Sequence, residues 1–364
     1  MNTISKIEVN SFLALIILFC LTGNIEPVTA QNNIIKPKGN LELTSPGDIW
    51  PQIMTGSTFN EFWTYHFYLD NDLEITIVFS LANFGSLKSP VSGARASILG
   101  FDDRDYQVLR EFPIDRLVQD ENNYRIQMRP DRKIWFEGEL PGNHKISFVT
   151  SKDGVDYDIK LELTNIQQGY KWGDGIFSID GSRVGIVTHI PYARAHGTVR
   201  INNREQTVRG SAYMDHVFQD KITTRLFSDG FRFVHHSNQD EWEAGHFLGS
   251  DKRDEHNVIG YALSKNNGEV TLKKPVRLIR SESERVFGHS LPKNIRIEFD
   301  DGTNRTVERI RDRERFEMLQ ELGRLARRLA RSYLRGEVVE FRGEARFISG
   351  KNDEPVRYNY FIVD

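Results

Sequence analysis

Apolar and polar residues alternate with a period of two along most of this chain, which restricts it to half-buried β-strands. Trp63, Tyr65, Phe67 and Leu69 alternate with Phe62, Thr64, His66 and Tyr68. Asp70-Asn71-Asp72 then makes a polar turn, and Ile75, Ile77, Phe79 and Leu81 resume the pattern, which predicts a hairpin. Tyr157 to Leu163, Ile295 to Phe299 and Val339 to Phe347 read the same way. Gly, Asn and Asp separate such runs at intervals of about ten residues, the spacing of an all-β sandwich or barrel.

With 23 Phe, 12 Tyr and 5 Trp among 364 residues, the chain buries enough apolar surface to exclude disorder as its main state. A net charge of −3 excludes the domain-wide basic excess of a dedicated nucleic-acid binder. A strand-rich chain of this length closes two barrels. The Gly-rich stretch Gly169 to Gly185 separates two strand series and predicts domains over 31–190 and 191–364. Residues 1–30 read as a signal peptide: Lys6, the apolar run Phe12 to Leu21, then Val28-Thr29-Ala30 before Gln31. A secreted or periplasmic location is therefore expected. Cys20, the one cysteine, lies inside that segment, so the processed chain is expected to hold together without disulfides.

One segment departs from period two. Between Asp312 and Tyr333, apolar residues recur at three and four, from Phe316 and Leu319 through Leu322, Leu325 and Leu329, which predicts one C-terminal amphipathic helix. Arg324, Arg327, Arg328, Arg331 and Arg335 stud its last part. They read either as a solvated face beside the negative helix end or, through Arg324, Arg327, Arg328 and Arg331, as a contact with an anionic surface.

The hairpin turning at Asn202-Asn203 runs into Tyr213-Met214-Asp215-His216. On a strand, Tyr213 and Asp215 share one face and Met214 and His216 the other. If the Tyr213 face lines a barrel interior, burial raises the Asp215 carboxyl pKa and makes it a proton donor. The plainer reading has Asp215 and His216 satisfying backbone groups at a strand end. His235 and His236 adjoin, with His246 and His216 nearby in sequence, but neighbouring strand residues face opposite sides, so no metal site is expected. The chain has no P-loop, dinucleotide fingerprint, serine-hydrolase elbow or zinc-protease helix, and no cofactor is expected.

Phe62-Trp63-Thr64-Tyr65, its strand, the Asp-Asn-Asp turn and the second apolar strand are similar to the opening motif of the lipocalin-like superfamily. That group includes bacterial carotenoid hydratases, fungal lipocalin-like Diels-Alderases and yeast survival-factor proteins. Gly210, Tyr213, Asp215 and His216 match its Gly-x-x-Tyr-x-Asp-His pattern, downstream of Gly197-Thr198-Val199, and the strand Gly336 to Phe347 after a helix also fits. The resemblance implies an all-β chain of two consecutive lipocalin-like β-barrel domains with an apolar small-molecule site in or between them. It implies that Tyr213 and Asp215 carry acid-catalysed chemistry on an isoprenoid double bond, with His216 as their supporting partner. Trp63, Tyr65, Phe67, Phe79, Phe233, His235 and Trp242 are the ligand-contacting candidates. The chain departs from the pattern at Val217-Phe218-Gln219-Asp220, which lacks the usual Gly, and at Pro191 beyond His189, where the hydratases carry Trp. With the signal segment, these departures favour an exported carrier of an apolar ligand; the alternative is a cofactor-free hydratase, isomerase or cyclase.

Overall fold

The computed structural model describes residues 33–53, 56–128, 133–348 and 354–364. The expected signal segment lies outside them. The described part of the chain is one compact unit built on two antiparallel sheets. In the first, the main strands lie in the order Arg104–Pro113, Val91–Phe101, Glu74–Asn83, Phe59–Leu69, Arg204–Gln219, Ser182–Ile201, Val155–Thr164 and His144–Lys152, continued by three short strands. In the second, the order is Glu269–Lys273, Val258–Asn266, Glu241–Gly249, Asp229–Asn238, Glu354–Val363, Val338–Phe347, Asn304–Glu317, His289–Phe299 and Pro275–Val286.

Most neighbours are successive hairpins. The polar turns foreseen at Asn71-Asp72 and Asn202 adopt left-handed backbone, with φ of 56°, 57° and 54°, a conformation that Asn and Asp tolerate. Two long-range pairings draw each series together. Phe59–Leu69 pairs with Arg204–Gln219, and Asp229–Asn238 pairs with the C-terminal strand Glu354–Val363. Residue 190, the boundary drawn from the glycine-rich stretch, falls inside the strand Ser182–Ile201. The change of sheet comes instead after Gln219, across the single helical turn Thr223–Leu226.

Each sheet curls about its own core, so the chain is all-β: two lipocalin-like barrels with one C-terminal amphipathic helix. Trp63, Tyr65, Phe67, Ile77 and Phe79 anchor the first core, and Phe233, Phe247, Ile295 and Phe341 the second. Inside the first barrel these side chains pack against one another. Tyr65, Phe79 and Phe136 meet with ring centroids 5.0–6.0 Å apart, and Trp63 donates its indole N–H to the Ile49 carbonyl at 2.8 Å. A third cluster, with Trp172, Ile186, Trp242, Leu248 and Tyr261, gathers residues of both sheets between the barrels.

The helix is shorter than its apolar spacing predicts. It spans Arg324–Leu334, while 312–317 belongs to the strand Asn304–Glu317, whose ladder to Val338–Phe347 overrides the local helical pattern. The helix ends with Arg335 in left-handed backbone, φ 64°, followed by Gly336.

Candidate active site

The two faces of the Arg204–Gln219 strand serve different purposes. Met214 and His216 pair with Tyr65 and Trp63 and point into the first barrel, whereas Tyr213 and Asp215 pair with His66 and Thr64 and point out of it. The Tyr213 face is therefore not the barrel interior that the sequence reading supposed. It looks across to the second sheet, where Arg232 and His246 lie opposite one another on adjacent strands.

Asp215 is fully buried and saturated with donors. Tyr213 Oη donates to its Oδ2 at 3.0 Å, and Arg232 clamps both oxygens, with Nε 2.6 Å from Oδ2 and Nη2 3.0 Å from Oδ1. His246 Nδ1 lies 3.1 Å from Oδ2. Arg232 Nη1 reaches His66 Nε2 at 3.2 Å, and His66 Nδ1 reaches Thr76 Oγ1 at 3.0 Å. A guanidinium only donates, so His66 Nε2 accepts and its proton sits on Nδ1.

These contacts fix the charges. Burial pushes the Asp215 carboxyl up, but the Arg232 guanidinium, with His246 and His66, outweighs it and holds the group well below the usual carboxylate range. The raised carboxyl expected of a proton donor does not form, because the facing Arg232 guanidinium, together with His246 and His66, favours the ionised group more than burial disfavours it. Burial, then Arg232, lowers His246; burial above all, then Arg232, lowers His66 much further; and burial, then Asp215, lifts the Tyr213 phenol well above its ordinary value. At neutral pH the cluster is a carboxylate, a guanidinium, two neutral imidazoles and a phenol. His246 Nδ1 faces both Asp215 Oδ2 at 3.1 Å and Arg232 Nη2 at 3.4 Å; in the tautomer that donates over the shorter distance to the carboxylate, the lone pair stays on Nε2, which makes no hydrogen bond to the described residues. That is the geometry of a histidine general base oriented by a carboxylate.

His216 joins a separate group inside the first barrel. It donates from Nδ1 to the Asp48 carbonyl at 3.1 Å, meets Glu61 Oε1 through Nε2 at 2.8 Å, and stacks on Trp63 with ring centroids 4.6 Å apart. His189 stacks on its other side at 5.7 Å, and burial, then His216, lowers its pKa to about 3. His216 thus supports the barrel wall beneath Asp215 and does not touch it.

The remaining candidates scatter. Trp63, Tyr65, Phe67 and Phe79 are core of the first barrel and Phe233 is core of the second. His235 donates to the Pro355 carbonyl at 2.8 Å on the side facing the second core, while His236 turns the other way to Ser211 and the Pro191 carbonyl. Only Trp242 shares a strand face with His246, four residues along the strand and opposite His236. Sequence reasoning missed Arg232 as a partner and saw His246 only as a metal question; neither has a local signal pointing to Asp215. A polar pocket with room for about one water molecule abuts the cluster at Arg232 and His66, bounded further by Thr76, Arg342 and Asn359.

No known family profile matches the chain, and no curated protein matches it in sequence. Solved structures do. A protein provisionally assigned as AttH from Nitrosomonas europaea is 12% identical, with a TM-score of 0.63 over 93% of this chain and 100% of its own. CghA solved with Sch210972 is 10% identical, with a TM-score of 0.56 over 85% of this chain and 89% of its own. Kievitone hydratase from Nectria haematococca is 12% identical, with a TM-score of 0.48 over 90% and 98%. The likenesses to the Nitrosomonas europaea protein and to CghA show that the chain shares their fold.

Proposed function

We propose that this protein is a cofactor-free acid–base enzyme of the hydratase, isomerase or cyclase kind, working on an apolar alkene or polyene at the junction of the two barrels. The observation that carries this reading is the Asp215–His246 pair, a carboxylate and a neutral imidazole in a buried seam, locked by Arg232 and Tyr213. Asp215, ionised and clamped, orients; His246 moves the proton. Carrying a proton from an attacking water to the adjacent carbon completes a hydration, and carrying one from carbon to carbon completes an isomerisation. Trp242 and Leu248, on the same strand face as His246, belong to the apolar cluster between the barrels. The carrier reading loses support because the side chains expected to surround a cargo occupy the barrel themselves. CghA, a likeness in fold, was solved with the small molecule Sch210972.

The test is turnover of a series of acyclic isoprenoid alkenes in isotopically labelled water, read by product mass. Native protein should incorporate the label, and His246→Gln should lower the rate by ~10²–10⁴ while its melting temperature stays near the native value. No incorporation by native protein above a protein-free control would end the enzymatic reading, and equal incorporation by native and His246→Gln protein would end the role given to His246.

A further inference from the structure

The helix Arg324–Leu334 shows more apolar surface to the outside than it buries. Its buried residues are Ala330 and Leu334. Leu325 is 74% exposed, Leu329 63%, and Leu322, one turn earlier in the chain, 42%. Spacings of three and four set these leucines one above another on the outward side. Leu87, 42% exposed, stands in the turn Gly85–Leu87, which Ser86 ties to the helix through Tyr333 Oη at 3.0 Å.

The arginines of this helix divide into two sets. Arg327 turns back to Glu317 and Glu337, and Arg331 to Glu337 and Asp364. Arg324, Arg328 and Arg335 are exposed and form no ion pair among the described residues. At about 100° per residue, Arg324 and Arg328 form a second row about 100° round the helix from the Leu325–Leu329 stripe. The chain as a whole carries −3, yet the outward side of this helix presents only cations.

We propose that this face docks on an anionic lipid bilayer, with Leu325 and Leu329 entering the acyl boundary and Arg324 and Arg328 reaching headgroup phosphates. A narrow aliphatic stripe bordered by unpaired arginines is the pattern of an interfacial helix, because long arginine stems lie along apolar surface while their heads stay with phosphate. A protein interface would place aromatic residues at its centre and few charges there. The inference is independent of the enzymatic reading.

Co-sedimentation of the full chain with phosphatidylcholine vesicles, with and without about one-third phosphatidylglycerol, tests it. Binding is expected only with phosphatidylglycerol, and should fall as salt rises. Arg324→Gln with Arg328→Gln should weaken it about 30-fold, near fivefold per arginine. Leu325→Ser with Leu329→Ser should abolish it, and since all four side chains are exposed, both variants should melt as the native protein does. Equal binding to both vesicle types, binding to neither, or binding unchanged in either double variant overturns the proposal. So does a solution dimer that the leucine variant dissolves without any vesicle binding, which would assign the face to a second copy.

Discussion

Asp215 and Arg232 bind each other so closely that a conservative change at Asp215 no longer isolates chemistry. Asp215→Asn leaves a buried guanidinium without its counter-charge, so it should cost ~3–5 kcal/mol of stability whatever the catalytic role; urea denaturation of the variant measures this. Tyr213→Phe removes one of several donors to the carboxylate and should cost only ~1 kcal/mol. The buried histidines make a second prediction. Burial lowers His144 and His236 to about 4 and His189 to about 3, and also lowers His66 and His246. Their folded values lie below the unfolded ones, so the unfolded chain binds more protons on acidification. The stability they contribute is complete above the ordinary imidazole value of 6.5 and is lost as the pH falls toward 4. Denaturation midpoints at pH 7, 6 and 5 should fall in that order; a flat profile would mean that these rings are solvated. Asp215 adds to the loss below the ordinary carboxyl value of 3.8, since its folded value is the lower one. None of this was legible in the sequence beyond the Tyr213–Asp215 face itself. Arg232 and His246 stand 17 and 31 residues from Asp215, and only the docking of two sheets brings them together.

Strands were legible wherever one face is wet, because alternation then reports burial directly. The Tyr157 to Leu163 and Ile295 to Phe299 runs fall inside observed strands for that reason. The end of Arg204–Gln219 is different: its last eight residues are all buried, so alternation says nothing about which face meets which partner. The helix failed the opposite way, since a three-and-four spacing marks a stripe without saying that it is covered. Glycines in the recognised motif have a steric reason. A Cβ on Gly210 would sit 2.1 Å from the Tyr68 carbonyl oxygen on the paired strand, and one on Gly197, at φ 156°, would sit 2.0 Å from the Lys160 oxygen. Backbone cannot yield that much without parting the ladder. Gly210→Ala should therefore destabilise the protein by ~2–4 kcal/mol, measurable as a lowered denaturation midpoint, although alanine is the smallest possible addition.

Charged pairs join the two barrels around the site. Arg95 of the first sheet reaches Glu340 of the second at 2.6 Å, Ser97 bonds Glu314, and Arg342 bonds both Glu314 and Thr76. Such pairs give orientation more than net stability. Replacing Arg95 by Met or Glu340 by Leu alone should cost ~3–5 kcal/mol, while the double replacement should lie near the native value; additive losses would mean that the two side chains do not meet. The strand beneath this seam has a consequence for how such chains can diversify. Deleting one residue between Gly210 and Tyr213 would turn the phenol and carboxylate inward among the aromatic rings and present methionine and imidazole to the guanidinium. Losing two would restore the original frame. Substitutions can accumulate along this strand one at a time, but changes in its length should survive only in even steps, so gaps here among related chains should come in twos.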